Sequence, residues 1–161
     1  YYTSMNRPMT LLICFLLSLP AYAQSVDLAD AQRTVNISRK MIDDKRNNQI
    51  AMFMNFTQEE KEKFWPLYRE YRKTMAAVGD KRLAVIVNYA NNVDRMTDPL
   101  AKKLLDQSFE VDKDFIRTKE RYVKKFRRIL PDIKVVRLMQ LENRMDIAVD
   151  MKVAEGIPLM K

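Results

Sequence analysis

The sequence predicts an all-α fold of four helices, two of which form a long antiparallel hairpin. Glycine occurs only twice in the 161 residues, at Gly79 and Gly156, although average usage is about 7%. Strand-like alternation of polar and apolar residues is scarce, whereas lysine, glutamate, methionine and leucine are frequent. Apolar residues recur at three- and four-residue spacing along most of the chain, which is typical of helices with a buried face.

The first predicted helix covers residues 27–46. Two asparagines, Asn47 and Asn48, are expected to end it. The apolar residues 50–56 that follow are predicted to form a connector packed beneath the next helix. The buried side of the first helix is predicted to contain Leu28, Ala31, Val35, Ser38 and Ile42.

The second predicted helix covers residues 57–91 and would be about 50 Å long at 1.5 Å per residue. Thr57-Gln58-Glu59-Glu60 has the pattern of a capping box, in which Thr57 and Glu60 each accept a hydrogen bond from the other's backbone N–H. Pro66 should kink the helix, and Gly79 should cost about 1 kcal/mol relative to alanine.

The third helix is predicted from a second start signal, Met96-Thr97-Asp98-Pro99, with Thr97 as the cap and proline in the first turn. It should extend to about residue 129, nearly matching the second helix in length, so the two form an antiparallel hairpin. The fourth helix is predicted over residues 132–154. Its buried side should contain Leu138, Leu141, Met145 and Val149.

The third helix has more apolar surface than one hairpin partner can bury. A second stripe therefore packs against the other helices, against another subunit, or against a bound client. The first stripe is Leu104, Val111, Phe115, Tyr122 and Ile129; the second is Leu105, Phe109, Ile116, Val123, Phe126 and Leu130.

The same helix is strongly basic near its end. One interpretation is a solvated face whose long side-chain stems cover apolar surface. The other is a surface that attracts acidic, partly unfolded chains, with charge speeding the encounter and apolar contacts holding the chain. The predicted binding residues are Arg117, Arg121, Tyr122, Lys124, Phe126 and Arg128.

Residues 5–23 resemble a cleaved export signal. Arg7 precedes an apolar run too short to span a bilayer of about 30 Å, and Ala21-Tyr22-Ala23 fits a signal peptidase site. We therefore expect translation to start at Met5, cleavage after Ala23, and a single mature domain of residues 24–161 in the periplasm. Export makes nucleic acid an improbable partner despite the net charge of +8.

The composition argues against an enzyme. The chain has no histidine, and its single cysteine, Cys14, lies in the predicted signal. Ser-His-Asp and Cys-His catalysis are thereby excluded for the mature chain, together with the commonest zinc ligand. We expect no cofactor and no metal.

Two start signals 40 residues apart resemble the doubled Leu-Thr-x-x-Gln motif of the Spy/CpxP family of bacterial periplasmic proteins. Phe56 and Met96 replace the leucine, and Glu60 and Leu100 replace the glutamine. Further stretches resemble a poorly characterised proteobacterial branch of that family. These are Phe64-Trp65-Pro66-Leu67-Tyr68-Arg69-Glu70-Tyr71, Gln140-Leu141-Glu142-Asn143-Arg144 and Ile157-Pro158-Leu159.

The resemblance implies an all-helical hairpin that forms a cradle-like homodimer. It also implies an ATP-independent chaperone, an inhibitor of an envelope-stress sensor, or a metal-binding protein, and the last of these depends on histidines that this chain lacks. Three functions follow as expectations: a stress-response chaperone for unfolded or acidic envelope proteins, a regulatory module that binds a sensor-kinase periplasmic domain, and a structural envelope protein that binds anionic lipid.

Overall fold

The computed structural model describes residues 25–155 and 157, and this part of the chain is all-helical, as predicted. Four α-helices follow one another, with a short 3-10 turn, Val93–Arg95, between the second and the third. No helix in the described ranges has a stretch long and apolar enough to cross a membrane. The predicted export signal lies outside the described residues. The helices are α1 (Leu28–Phe53), α2 (Gln58–Ala90), α3 (Asp98–Phe126) and α4 (Asp132–Glu155).

Helix α1 is longer than predicted, because Asn47 and Asn48 do not end it. Asp27 caps its start, where the carboxylate accepts a hydrogen bond from the Ala29 backbone N–H (3.1 Å). At the other end the helix continues to Phe53 and buries Ile50 completely. Burial of that turn outweighs the weak helix propensity of asparagine. The chain turns at Asn55, which has a φ of 47°, a conformation that asparagine tolerates better than most residues.

The predicted hairpin of α2 and α3 is confirmed. As α2 advances, its partners on α3 come from progressively earlier positions: Glu70 pairs with Lys125 (2.7 Å), the Thr74 hydroxyl meets that of Tyr122 (2.8 Å), and Lys81 pairs with Asp114 (2.7 Å). Helix α3 ends at Phe126 rather than at Ile129, in a turn that leads to α4. The two helices are therefore antiparallel neighbours.

The predicted capping box at the start of α2 is present, whereas the cap at the start of α3 is not. Thr57 accepts a hydrogen bond from the Glu60 backbone N–H (3.2 Å), and the Glu60 carboxylate accepts one from that of Thr57 (2.8 Å). Thr97 has an extended backbone at the corresponding position but makes no side-chain cap bond. Pro99 occupies the second helical position and has no N–H to donate, which removes one of the two usual partners of a cap hydroxyl.

Helix α4 runs in the same direction as α2 and packs against both α1 and α2. Three α4 side chains meet successive parts of α2: Lys134 binds Glu60, Glu142 binds Tyr68, and Asp150 binds Arg82. Of the four residues predicted for the buried side of α4, Leu138 is fully buried, and Leu141, Met145 and Val149 are half-buried. The core at these contacts contains Ile50, Met54, Phe64, Tyr68, Tyr71, Met75, Tyr122, Phe126, Leu130, Val135 and Leu138.

Candidate binding surface

The second apolar stripe of α3 is exposed in its first half and buried in its second. Leu105, Phe109 and Ile116 are 56%, 55% and 59% exposed, whereas Phe126 and Leu130 belong to the core. We use the name apolar stripe for Leu105, Phe109, Ile116 and the half-buried Val123, which are four or seven residues apart and so share one face of the helix. The first stripe faces α2, and its members are buried or half-buried.

The apolar stripe ends in a groove of about 560 Å³ between the second half of α3 and the first half of α4. An ion pair between Lys119 and Asp146 (2.8 Å) joins the two helices at this level. The groove and the stripe therefore form one continuous apolar surface, because Val123 belongs to both. The groove is lined by Lys119 and Val123 from α3, by Arg127 just after it, and by Asp132, Val135, Val136, Met139, Gln140, Glu142 and Asn143 from α4.

A basic edge runs alongside this surface. It consists of Arg117, Arg121, Lys124 and Arg128, all exposed, at intervals of three or four residues. Arg117 pairs with Asp114 at 3.8 Å but remains 65% exposed, so that this ion pair neutralises little of its charge. The other three cations make no ion pair within the described part of the chain. Their charge is available to a partner.

Two predicted binding residues, Tyr122 and Phe126, do not belong to this surface, and that part of the prediction is wrong. They are 2% and 0% exposed. The Tyr122 hydroxyl donates to the Glu70 carboxylate (2.9 Å), and the Phe126 ring packs 5.7 Å from that of Phe64. Both lie on the side of α3 that faces α2, about a third of a turn or more from the basic edge. Tyr122 still contacts the basic edge, because the Arg121 guanidinium is 5.4 Å from the centre of its ring.

Among the residues that carry the family resemblance, the aromatic ones belong mainly to the core and the two threonines lie at helix starts. Phe64, Tyr68 and Tyr71 are fully buried or nearly so, Trp65 is half-buried, and Pro66 is exposed.

The two helix starts differ in their surroundings. Phe56 packs on Phe64 with ring centres 4.5 Å apart. A hydrogen bond from Lys134, with the Thr57 backbone bond next in importance, lowers the pKa of the Glu60 carboxyl. At the second start, Met96 is half-buried and Thr97 is exposed.

A buried ionic network, which the sequence analysis missed, joins α1, α2 and α4. Glu142 is 1% exposed and accepts hydrogen bonds from Arg46 (3.0 Å), Arg72 (3.3 Å) and the Tyr68 hydroxyl (2.5 Å). Arg46 also donates to Asp146 (2.7 Å). Glu142 lies four residues after Leu138, on the predicted buried side of α4. That spacing is the one sequence signal that could have indicated a buried carboxylate.

The network shifts the titration of its members. Burial, and then the charge of Glu142, raises the pKa of the Tyr68 hydroxyl. Burial also raises the pKa of the neighbouring Tyr71 hydroxyl, which has no hydrogen-bond partner in the described part of the chain. Burial opposes ionisation of Asp146, but Lys119 and Arg46 outweigh it and hold the pKa of that carboxyl below its usual range.

Comparison of the chain with protein-family models, curated proteins and solved structures gives no match. The Spy/CpxP resemblance and the homodimer that it implies therefore stay predictions from the motifs. Among the described residues, no group of three or more histidine, cysteine, aspartate or glutamate side chains is arranged to hold a metal ion.

Proposed function

We propose that this protein is an exported, ATP-independent binding protein that shields unfolded envelope proteins on the α3 surface. The observation that carries the proposal is the exposed apolar stripe with the basic edge beside it. Leu105, Phe109 and Ile116 are each more than half exposed. Such a patch of large apolar side chains on a charged helix is typical of an interaction site.

The two parts of the surface have separate tasks. Burial of one large apolar side chain against a client contributes about 1.5–3 kcal/mol when complete, so three half-exposed residues and the groove supply a modest, reversible affinity. The basic edge attracts acidic segments over distances of about one Debye length, roughly 8–10 Å, and so raises the association rate at low salt. Salt should therefore slow association more than it speeds release.

A client-protection assay tests the stripe. A denatured, aggregation-prone client is diluted into buffer that contains the protein, and light scattering follows its aggregation. Phe109→Ser with Ile116→Ser should abolish most of the protection. The matched control is Met41→Ser with Met52→Ser on α1, where both methionines are also more than 60% exposed. Equal loss in the two variants, with helicity retained, would contradict the assignment.

Charge reversal tests the basic edge. Arg121→Glu with Lys124→Glu should slow client association and flatten its salt dependence. Lys40→Glu with Lys45→Glu makes the same charge change on exposed positions of α1 and should have little effect. Binding of a single folded sensor domain at fixed stoichiometry, without protection of denatured clients, would instead favour the regulatory module.

A second candidate function, contact with anionic lipid, is favoured by one observation. Arg121, Lys124 and Arg128, which make no ion pair among the described residues, lie at the end of α3 and just beyond it, beside exposed apolar residues, as in helices that lie in a membrane interface. Flotation with phosphatidylglycerol vesicles tests it. Binding at low salt that is lost at high salt and in the Arg121→Glu/Lys124→Glu variant would support lipid contact.

A further inference from the structure

The groove between α3 and α4 has an apolar wall on each side. On the α4 side, Val136 and Ile147 are 58% and 52% exposed. They are eleven residues apart, which is about three helical turns, so they lie on one face of α4. Gln140 and Asn143 lie between them on this face, and both line the groove together with Val136. The apolar stripe of α3 forms the opposite wall.

Both walls are helices, and this limits the conformation of a bound chain. Residues 119–123 of α3 and 135–143 of α4 lie inside helices, where backbone N–H and C=O groups bond to one another. Of the residues that line the groove, only Gln140 and Asn143 have an uncharged polar side chain. An extended segment would therefore bury unpaired backbone groups in the groove, each at a cost comparable to a lost hydrogen bond. A helical segment pairs its own backbone.

Positive charge borders the groove on both sides. The basic edge runs along the α3 side, and Arg144, four residues after Gln140, is exposed on the α4 side and makes no ion pair among the described residues. Within residues 116–128 and 132–147, Glu120 is the one acid without an ion pair. The other charged side chains of these two segments bind within the protein: Lys119 to Asp146, Lys125 to Glu70, Arg127 to Asp132, Lys134 to Glu60, Arg137 to the Phe53 carbonyl, and Glu142 to Arg46 and Arg72.

The first half of α3 has no such bias. Around Leu105 and Phe109 the exposed charges are of both signs, and they nearly cancel one another. Selection of a partner by charge therefore acts at the groove and not at the exposed half of the apolar stripe. The charged residues between positions 102 and 113 are Lys102, Lys103, Asp106, Glu110, Asp112 and Lys113.

We propose that the groove binds an acidic amphipathic helix of the client, with its apolar face on the groove and carboxylates on both flanks. The client is that of the proposed function, on which this inference rests. The distance from Val136 to Ile147 along α4 is about 16 Å, so a helix of about three turns fills the groove. A longer helix continues onto the apolar stripe. An unfolded client segment becomes helical as it binds, and the groove then holds it as amphipathic helices are held in other apolar grooves.

Two synthetic peptides of identical composition test the conformation. Each has about 18 residues of leucine, glutamate and glutamine. Leucines recur at three- and four-residue spacing in one peptide and alternate with polar residues in the other, as in a strand. The first should bind about tenfold more tightly by fluorescence anisotropy, the effect of one unpaired backbone group, and should gain helicity in the difference circular dichroism spectrum. Equal affinities, or binding without a gain in helicity, would overturn the proposal.

Substitutions in the α4 wall locate the site. Val136→Ser with Ile147→Ser should weaken binding of the helical-pattern peptide about tenfold, because both side chains lose apolar contact with it. Met41→Ser with Met52→Ser on α1 is the matched control and should not weaken it. An effect of the control pair as large as that of the α4 pair would contradict the assignment to the groove.

Charge reversal tests the α4 rim. Arg144→Glu should weaken binding of the helical-pattern peptide about two- to fivefold at low salt and much less at high salt, where the charge is screened. Lys40→Glu makes the same charge change at an exposed position of α1 and should have little effect. Equal effects of the two variants would show that the second basic rim takes no part.

The outcome can be separated from that of the proposed function. If denatured clients are protected but the two peptides bind equally well, the helix inference fails and the proposed function stands. If the helical-pattern peptide binds at the groove but no denatured client is protected, the proposed function fails and the site for an acidic helix stands.

Discussion

Replacing Glu142 by leucine tests whether the buried ionic network holds α4 in place. Its carboxylate is the shared acceptor for Arg46, Arg72 and the Tyr68 hydroxyl, and it is 1% exposed. Leucine has a similar size but no acceptor. The variant therefore removes the shared acceptor of three donors, two of them charged, although Arg72 keeps its ion pair with Asp43 (3.2 Å).

The expected loss is large because the two more deeply buried donors, Arg46 and Tyr68, cannot turn to water. Arg46 is 3% exposed, and removing one member of a buried ion pair typically costs about 3–5 kcal/mol. Domains of this size are stable by only about 5–15 kcal/mol. We therefore expect the melting temperature to fall by about 10–20 °C. Asp146, which also binds Arg46 (2.7 Å), keeps that arginine from being wholly unpaired, which favours the lower part of the range.

Urea unfolding followed by circular dichroism gives the free energy directly. Asp150→Ala is the matched control, since Asp150 also joins α4 to α2 but pairs with Arg82 at a half-exposed site, where an ion pair contributes about 0–1 kcal/mol. The double variant Arg46→Met/Glu142→Leu should lose less than the sum of the two single losses. A loss for Glu142→Leu no greater than that for Asp150→Ala would refute the role of the network.

Three further predictions concern neighbouring groups. Tyr71→Phe should leave the unfolding free energy unchanged or raise it by about 1 kcal/mol, because it removes an unpaired buried hydroxyl, whereas Tyr68→Phe should lower it by about 1.5–3 kcal/mol; equal losses in urea unfolding would mean that both hydroxyls are bonded. Both tyrosines have a raised pKa in the fold, so stability should be full below pH ~10 and fall above it by about 1.4 kcal/mol per pH unit for each tyrosine, a slope that Tyr68→Phe reduces. Thr57→Ala should cost about 1 kcal/mol by removing the cap of α2, and an unchanged urea midpoint would argue against the capping box.

The helices could be predicted from the sequence because their signals are local. The capping box at Thr57 and the long apolar periodicity of α2 and α3 depend on residues within one or two turns. The end of α1 depends on distant packing instead. Asparagines at 47 and 48 weaken a helix locally, yet Ile50 and Met54 are fully buried beside α2 and α4. The residues around positions 47–54 do not by themselves indicate this burial.

The candidate site could be predicted only in part. The spacing of residues on α3 predicted the two apolar stripes and the four cations of the basic edge, but not which apolar residues stay exposed. Tyr122 and Phe126 are buried although each is next to a cation in the sequence, because a residue beside an exposed arginine or lysine can face the opposite helix. The network around Glu142 was missed because its members are 70 to 100 residues apart, as in the bonds from Arg72 and Arg46.

The division of α3 into two halves would allow one helix to serve both stability and the proposed binding. Its second half is fixed by the aromatic core, where the Tyr122 ring is 5.3 Å from that of Tyr71 and Phe126 is fully buried. Its first half is paired with α2 but exposes Leu105 and Phe109 on the opposite side. A change at Phe109 should therefore alter binding and leave the fold intact, whereas a change at Phe126 should do the reverse. The exposed side chains of Leu105, Phe109 and Ile116 share one face of a helix that does not need them in order to fold, and the proposed binding function is argued from this shared face.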